Sequence, residues 1–355
     1  MAKNTDILFE QNNRCGVVTL NRPKALNAMT YEMFAALDAE YKQWADDPHI
    51  YGVIMQSAGG RAFCSGGDIR ALYDWWRAGD IATILQLYGT EYQHNWTLDR
   101  FLKPHVALID GIVMGGGVGV SLYGTHRVAG ANYRFAMPEV GIGFFPDVGA
   151  TWFLSRLAGK TGLYLALTGR TIDAADAYSL GLVTHCIAAG HYPAIHEALS
   201  EAEPVDALLA GFHQDPGASD IAARRADIDR LFSAASVEEV LGNLDAETGD
   251  MEKWAREAAA DIRTKSPTGL KVAFQQMQRG PKLQLDEALE LEFAIARRFF
   301  DGEEFFEGIR AAIIDKDQKP NWSPATLEQV TDEMIEAFFA PLPDSGLELV
   351  NPFAR

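Results

Sequence analysis

The sequence predicts an α/β core followed by a helical extension. Two observations carry this: short apolar runs alternate with helix-like stretches as far as Cys186, and beyond about Glu201 the pattern turns almost wholly helical. The division falls near residue 205, giving a core over 1–205 and a helical region over 206–355. No internal sequence repeat or low-complexity linker is evident.

In chain order, Asp6 to Gln11 and Cys15 to Leu20 read as strands joined across Asn12, Asn13 and Arg14. Thr30 can cap the next helix, in which Met33, Leu37, Tyr41 and Trp44 form one apolar stripe, and Asp46, Asp47 and Pro48 stop it. Val53 to Met55 is a strand running into a glycine-rich corner that ends in RAFCSGGD (61–68), and Ile81 to Asp99 reads helical. Tyr73, Trp75 and Trp76 fit core packing better than a binding box. Val106 to Ile109 is a strand leading to Gly115, Gly116 and Gly117, which open a helix. Two helix-like pieces follow Gly149 on either side of Gly159, then a short helix over 173–180 and a strand over 183–186. The helical region divides into 250–265, 268–279, 283–300, 303–314 and 324–339.

Bulk properties exclude several classes of function. With 355 residues and 48% hydrophobic content the chain can bury a large core. A net charge of −18 and a pI near 4.8 argue against nucleic acid or an anionic membrane as partner, so an anionic ligand has to be held locally. The three cysteines are odd in number and widely spaced, which fits a reducing compartment rather than a disulfide framework. MAKNTDILFEQ has neither an apolar signal core nor an Arg-rich transit pattern, and no window suits a membrane span, so the expectation is a soluble cytoplasmic protein.

Several motifs fail on a required residue. Gly119 to Tyr123 resembles a nucleophile elbow, but Tyr123 stands where a glycine is needed, leaving Ser121 structural. Gly159-Lys160-Thr161 lacks the upstream glycine of a phosphate loop, since Leu154 holds that place. Gly117 and Gly119 are followed by Leu122 rather than the third glycine of a dinucleotide fingerprint. The eight histidines have no metal-ligand spacing, so no metal is expected. Cys64 reads as a small buried hydrophobe rather than a nucleophile.

The glycine triplet and two carboxylates remain. Amides at the start of a helix have no intrahelical acceptor and can hold an oxyanion; the same glycines also suit a close helix-to-strand crossing. Glu139 follows Phe135, Ala136, Met137 and Pro138, and Asp147 follows Phe144, Phe145 and Pro146, so apolar surroundings oppose ionisation of both acids. Acids so placed suit proton transfer near neutrality. The alternative is two turn or cap carboxylates, because Gly141, Gly143 and Pro146 rule out a helix that would align them.

NRPKALNAM (21–29), AFCSGGDI (62–69), GIVMGGGVG (111–119) and FAMPEVGIGFFPDVGA (135–150) together resemble the crotonase (enoyl-CoA hydratase/isomerase) superfamily. PEVGIGFFPDVGATWFLSRL and the distal EGIRAAIIDKDQKPNW (307–322) are most similar to its branch that hydrolyses the thioester of a short branched 3-hydroxyacyl group, 3-hydroxyisobutyryl-CoA, and extend the likeness over nearly the whole chain. The resemblance implies a spiral of ββα units followed by helices that cover or extend the active site. It implies an oxyanion hole at the amides of Gly67 and Gly116, catalytic roles for Glu139 and Asp147, and a substrate contact from Glu91. Lys24, Ala62, Gly67, Asp68 and Ile69 are the implied contacts to coenzyme A, which is part of the substrate, so no separate cofactor is implied. The first hydratase glutamate would stand at position 119, which is glycine here; this departure favours thioester hydrolysis over hydration. Hydration or isomerisation, and acyl-CoA binding without catalysis, are the alternatives. Related hydratases form trimers and hexamers, so a homo-oligomer is a further expectation.

Overall fold

The computed structural model describes residues 5–342 and 346–353. Residues 1–4 of the N-terminal segment read for a targeting signal lie outside the described residues.

Among the described residues nine strands form two sheets. The larger has the order β1-β2-β3-β5-β7-β9, from β1 (Ile7–Asn12), β2 (Cys15–Leu20), β3 (Gly52–Ser57), β5 (His105–Ile109), β7 (His126–Ala129) and β9 (His185–Cys186). The smaller has the order β4-β6-β8, from β4 (Ala62–Cys64), β6 (Ile112–Met114) and β8 (Arg134–Ala136). Only β1 and β2 pair antiparallel, with Asn12 opposite Cys15 and Asn13 at φ 49 in the turn. Each successive pair, β3/β4, β5/β6 and β7/β8, places its first strand in the large sheet and its second in the small one. This is the spiral implied by the resemblance. It repeats in structure although the sequence shows no repeat, because each turn needs only apolar strands and a tight corner, which many sequences satisfy.

Helix α1 (Tyr31–Asp46) is capped by Thr30, whose hydroxyl accepts from the Met33 amide, and all four stripe residues are buried. Helices α2 (Ile69–Arg77) and α3 (Ile81–Arg100) lie between β4 and β5 in the chain, and α4 (Gly116–Leu122) follows β6. Trp76 stacks on Phe306 at 4.5 Å between ring centroids, and Tyr73 and Trp75 pack against the core, in keeping with a packing role.

Several elements differ from the sequence reading. The strand that feeds the glycine triplet is β6, not the Val106–Ile109 run, which belongs to β5 and is separated from it by a turn at Asp110 and Gly111. Strands β7 and β8 carry too few alternating residues to stand out. The stretch 324–339 forms only a 3-10 turn at Leu327–Gln329 and a helix at Asp332–Phe339, as Pro324 and the polar run after it supply no continuous apolar face.

The distal helices lie against the core. Helix Pro267–Arg279 packs on Thr161–Thr168, and helix Leu285–Phe300 packs on α3. Phe144 from the core meets Phe299, Phe300 and Phe305, all with ring centroids within 6 Å.

Candidate active site

The two glycine corners meet. Gly66 carbonyl accepts from Met29, and Asp68 amide donates to Met29 carbonyl, so Gly67 sits in a short bridge between them. Gly116 is the first residue of α4, which leaves its amide without an intrahelical acceptor. A Cβ on Gly116 would lie 3.4 Å from the Gly67 nitrogen and 2.4 Å from Glu91 Oε1. A side chain at 116 would therefore displace Glu91, and the two amides border one small space.

That space belongs to a cavity of about 600 Å³ lined by Gly67, Gly116, Glu91, Glu139 and Asp147, with Tyr88, Phe144 and Phe305 among its apolar walls. Periodicity gave no reason for the three acids to converge; the fold supplies it. Glu91 comes from α3, and Glu139 starts the 3-10 turn Glu139–Ile142, which ends at Gly143 with φ 73. Asp147 precedes Val148 and Gly149, both at positive φ.

Burial and mutual repulsion shape the ionisation of these acids. Burial, then the charges of Asp147 and Glu139, push Glu91 well above the ordinary carboxylate range. Burial and Asp147 do the same to Glu139. Asp147 rises to about 7 through burial, opposed by the hydroxyl of Tyr92, which donates to Asp147 Oδ2 at 2.8 Å. Glu139 Oε2 is buried with no hydrogen-bond partner among the described residues, so it faces the cavity with an unsatisfied oxygen.

The other residues singled out from the sequence divide. Lys24, Asp68 and Ile69 line the same cavity. Asp68 is already engaged: it caps α2 through the Ala71 amide and pairs with Arg22 at 2.9 Å. Ala62 does not line the cavity; it is buried in β4 and its carbonyl accepts from Asn27 and Ser57. Asn27 also accepts from the Arg22 amide and donates to Ala58, so NRPKALNAM braces both glycine corners rather than only offering a lysine. Ser121 is buried and bonds the Gly117 carbonyl, a structural role. Cys64 is buried and its thiol is pushed up to about 12, which makes it inert as a nucleophile.

Position 119 has no room for a side chain. A Cβ there would stand 2.7 Å from Asn95 Oδ1 and 3.1 Å from Val148 Cβ. Sequence reading missed Lys316 and Ile313, which line the cavity from the distal segment. Arg310 fixes that segment by pairing with Glu307, Asp315 and Asp317. The signal was present in EGIRAAIIDKDQKPNW, where one arginine stands among three acids and two lysines.

Among the described residues, no helix is long and apolar enough to cross a membrane. The chain is 41% identical over 357 residues to the 3-hydroxyisobutyryl-CoA hydrolase, mitochondrial, of Xenopus tropicalis, covering 98% of this chain and 92% of that protein. To the protein of the same name from Homo sapiens it is 40% identical, covering 98% and 93%. Among solved structures it resembles a carnitinyl-CoA dehydratase from Mycobacterium thermoresistibile, with a TM-score of 0.91, 38% identity and coverage of 99% and 100%. An enoyl-CoA hydratase from Rhodobacter sphaeroides 2.4.1 follows with a TM-score of 0.90, 35% identity and coverage of 97% and 100%. The family model described as enoyl-CoA hydratase/isomerase matches residues 15–339. With matching sequence, spiral fold and glycine corners, the chain belongs to the enoyl-CoA hydratase/isomerase family, the crotonase superfamily.

Proposed function

We propose that the chain hydrolyses acyl-CoA thioesters, and that its substrate is 3-hydroxyisobutyryl-CoA, cleaved to 3-hydroxyisobutyrate and CoA as in valine breakdown. The observation that carries this is the convergence of Glu91, Glu139 and Asp147 with Gly67 and Gly116 around one cavity. The curated relatives, at about 40% identity over nearly the whole chain, bear the name of that hydrolase.

In the proposed reaction the thioester oxygen accepts from the Gly67 and Gly116 amides, which stabilise the oxyanion. Such a donor is worth roughly 2.7–4 kcal/mol of barrier in other enzymes. Glu139 either attacks the carbonyl carbon, expelling CoA thiolate and leaving an anhydride that water cleaves, or takes a proton from the attacking water. Asp147, titrating near neutrality, delivers the proton to the thiolate. Glu91 holds the 3-hydroxyl of the acyl group. Lys24 and Lys316, which line the cavity with Arg70, meet the phosphates of CoA in this scheme, with Ile69 and Gly67 beside it. No separate cofactor enters this scheme.

The names of two similar solved structures, a carnitinyl-CoA dehydratase and an enoyl-CoA hydratase, point to dehydration and hydration, and the crowding at Gly119 speaks against both. The test is a free-thiol assay with 3-hydroxyisobutyryl-CoA beside hydration of crotonyl-CoA. CoA release that Glu139→Gln abolishes supports the hydrolase; turnover of crotonyl-CoA without thiol release favours the hydratase. Binding of the ester with neither reaction marks a non-catalytic acyl-CoA-binding protein.

Three further parts of the reading are proposals. The division of labour near residue 205 is supported by the way Phe305, Ile313 and Lys316 complete a cavity begun by the first half. A cytoplasmic, reducing setting is supported by three free, buried cysteines, whereas the relatives carry mitochondrial in their names; fractionation of the producing cells decides. A homo-oligomer rests on the resemblance alone and is tested by sedimentation velocity.

A further inference from the structure

The turn that carries Asp147 is costly to hold. Val148 has φ 53, a left-handed conformation unfavourable for a β-branched residue, and Gly149 follows at φ 86. Gly149 is the N-cap of the short helix Ala150–Phe153, and it has no side chain with which to cap. A larger residue is excluded, since a Cβ there would fall 1.8 Å from the Tyr123 hydroxyl.

The cap comes instead from the distal region. Glu292, fully buried in helix Leu285–Phe300, accepts from the Gly149 amide at 2.6 Å with Oε2 and from the Thr151 amide at 2.8 Å with Oε1. Gln276, fully buried in helix Pro267–Arg279, donates to the Pro146 carbonyl at 3.0 Å and to the Thr151 hydroxyl at 2.7 Å. Tyr123 donates to the Val148 carbonyl at 2.7 Å. The polar groups of 146, 148, 149 and 151 are thus pinned by side chains from three other elements, and Asp147 itself by Tyr92 from a fourth.

We infer that Glu292 is a positioning residue: by gripping the Gly149 and Thr151 amides, with Gln276 beside it, it holds the strained turn that aims Asp147 into the cavity. Burying a carboxyl group away from any cation is unfavourable, and a helix of four residues gains too little from one cap to require it. The arrangement makes sense when what is held is the direction of the adjacent acid. The inference rests on the proposed catalytic role of Asp147.

The experiment uses the full chain with 3-hydroxyisobutyryl-CoA and a free-thiol reagent, comparing Glu292→Leu, Glu292→Gln, Gln276→Met and Asp147→Asn. Misalignment of a reacting group costs on the order of 10²-fold in rate. The expected result is a loss of that order in kcat per folded molecule for Glu292→Leu, with KM within about twofold of the parent, and a smaller loss for Glu292→Gln, which keeps one acceptor. Gln276→Met falls between Glu292→Gln and the parent. Should Glu292→Leu fail to fold, the other two variants decide. Parent kcat in both Glu292→Gln and Gln276→Met, or a rise in KM alone, overturns the inference. Parent kcat in Asp147→Asn overturns the role of Asp147, and the inference with it.

Discussion

The Tyr92 hydroxyl, behind the cavity wall, donates to Asp147 Oδ2 at 2.8 Å, and Tyr88, Glu91, Glu139 and Glu292 all lie near enough to feel the Asp147 charge. This bond stabilises the carboxylate and opposes the burial that raises Asp147 to about 7. Removing it with Tyr92→Phe raises the Asp147 value further. A hydrogen bond to a charged group contributes about 1.5–3 kcal/mol, so the shift is on the order of one pH unit. Since Asp147 acts as the proton donor, the alkaline limb of the pH–rate profile moves to higher pH, and a limb that stays in place refutes the assignment of that titration to Asp147.

Gly116→Ala places a methyl group 2.4 Å from Glu91 Oε1, so either Glu91 or the 116 amide has to move. Loss of one oxyanion donor lowers kcat by roughly 10²–10³. Steady-state kinetics on 3-hydroxyisobutyryl-CoA measure it; a loss below tenfold places the oxyanion elsewhere.

Gly119→Ala crowds Asn95 and Val148, and overpacking of this kind costs about 1–3 kcal/mol. Thermal unfolding of the variant reads this as a lower midpoint. An unchanged midpoint shows that the space can open, and the argument against a hydratase glutamate at 119 weakens accordingly.

Lys316→Ala and Lys24→Ala are expected to raise KM for the CoA ester several-fold at low ionic strength, with little change in kcat. The effect fades with added salt because exposed charges are screened over about 8–10 Å. A shorter acyl thioester lacking the nucleotide shows no such dependence.

A pH dependence of stability also follows from Glu292. Burial first, then the charge of Asp147, lifts its carboxyl to about 8 in the folded chain, above the unfolded carboxylate value. The native state therefore holds a proton that the unfolded state has released. Stability from this group is present at low pH and is lost as pH rises from the unfolded value through about 8. Melting midpoints of the parent decline over that window, and Glu292→Gln flattens the decline.

Much of the core was legible because local chemistry reports it directly. Thr30 caps α1 as its position suggests, the stripe of Met33, Leu37, Tyr41 and Trp44 is buried, and Gly143 takes the left-handed backbone that breaks any helix between Glu139 and Asp147. The catalytic-site geometry came from resemblance, not pattern, since nothing in the spacing of Gly67, Gly116 and Glu139 brings them together. Ala62 was carried over with its motif, yet β4 buries it. Glu292 and Gln276 stayed hidden because each acts more than a hundred residues from its partners, on helices whose periodicity reveals only which face is apolar, and Lys316 because it lies in the loop after Ile314, where no pattern points to the cavity.

The cavity is walled partly by Phe305, Ile313 and Lys316, and the turn bearing Asp147 is tied down by Glu292. During synthesis the acids of the first half leave the ribosome long before these walls exist. Part of the burial that raises Glu91, Glu139 and Asp147 is therefore supplied by residues made after all three, and is complete only once the last quarter of the chain has packed against them.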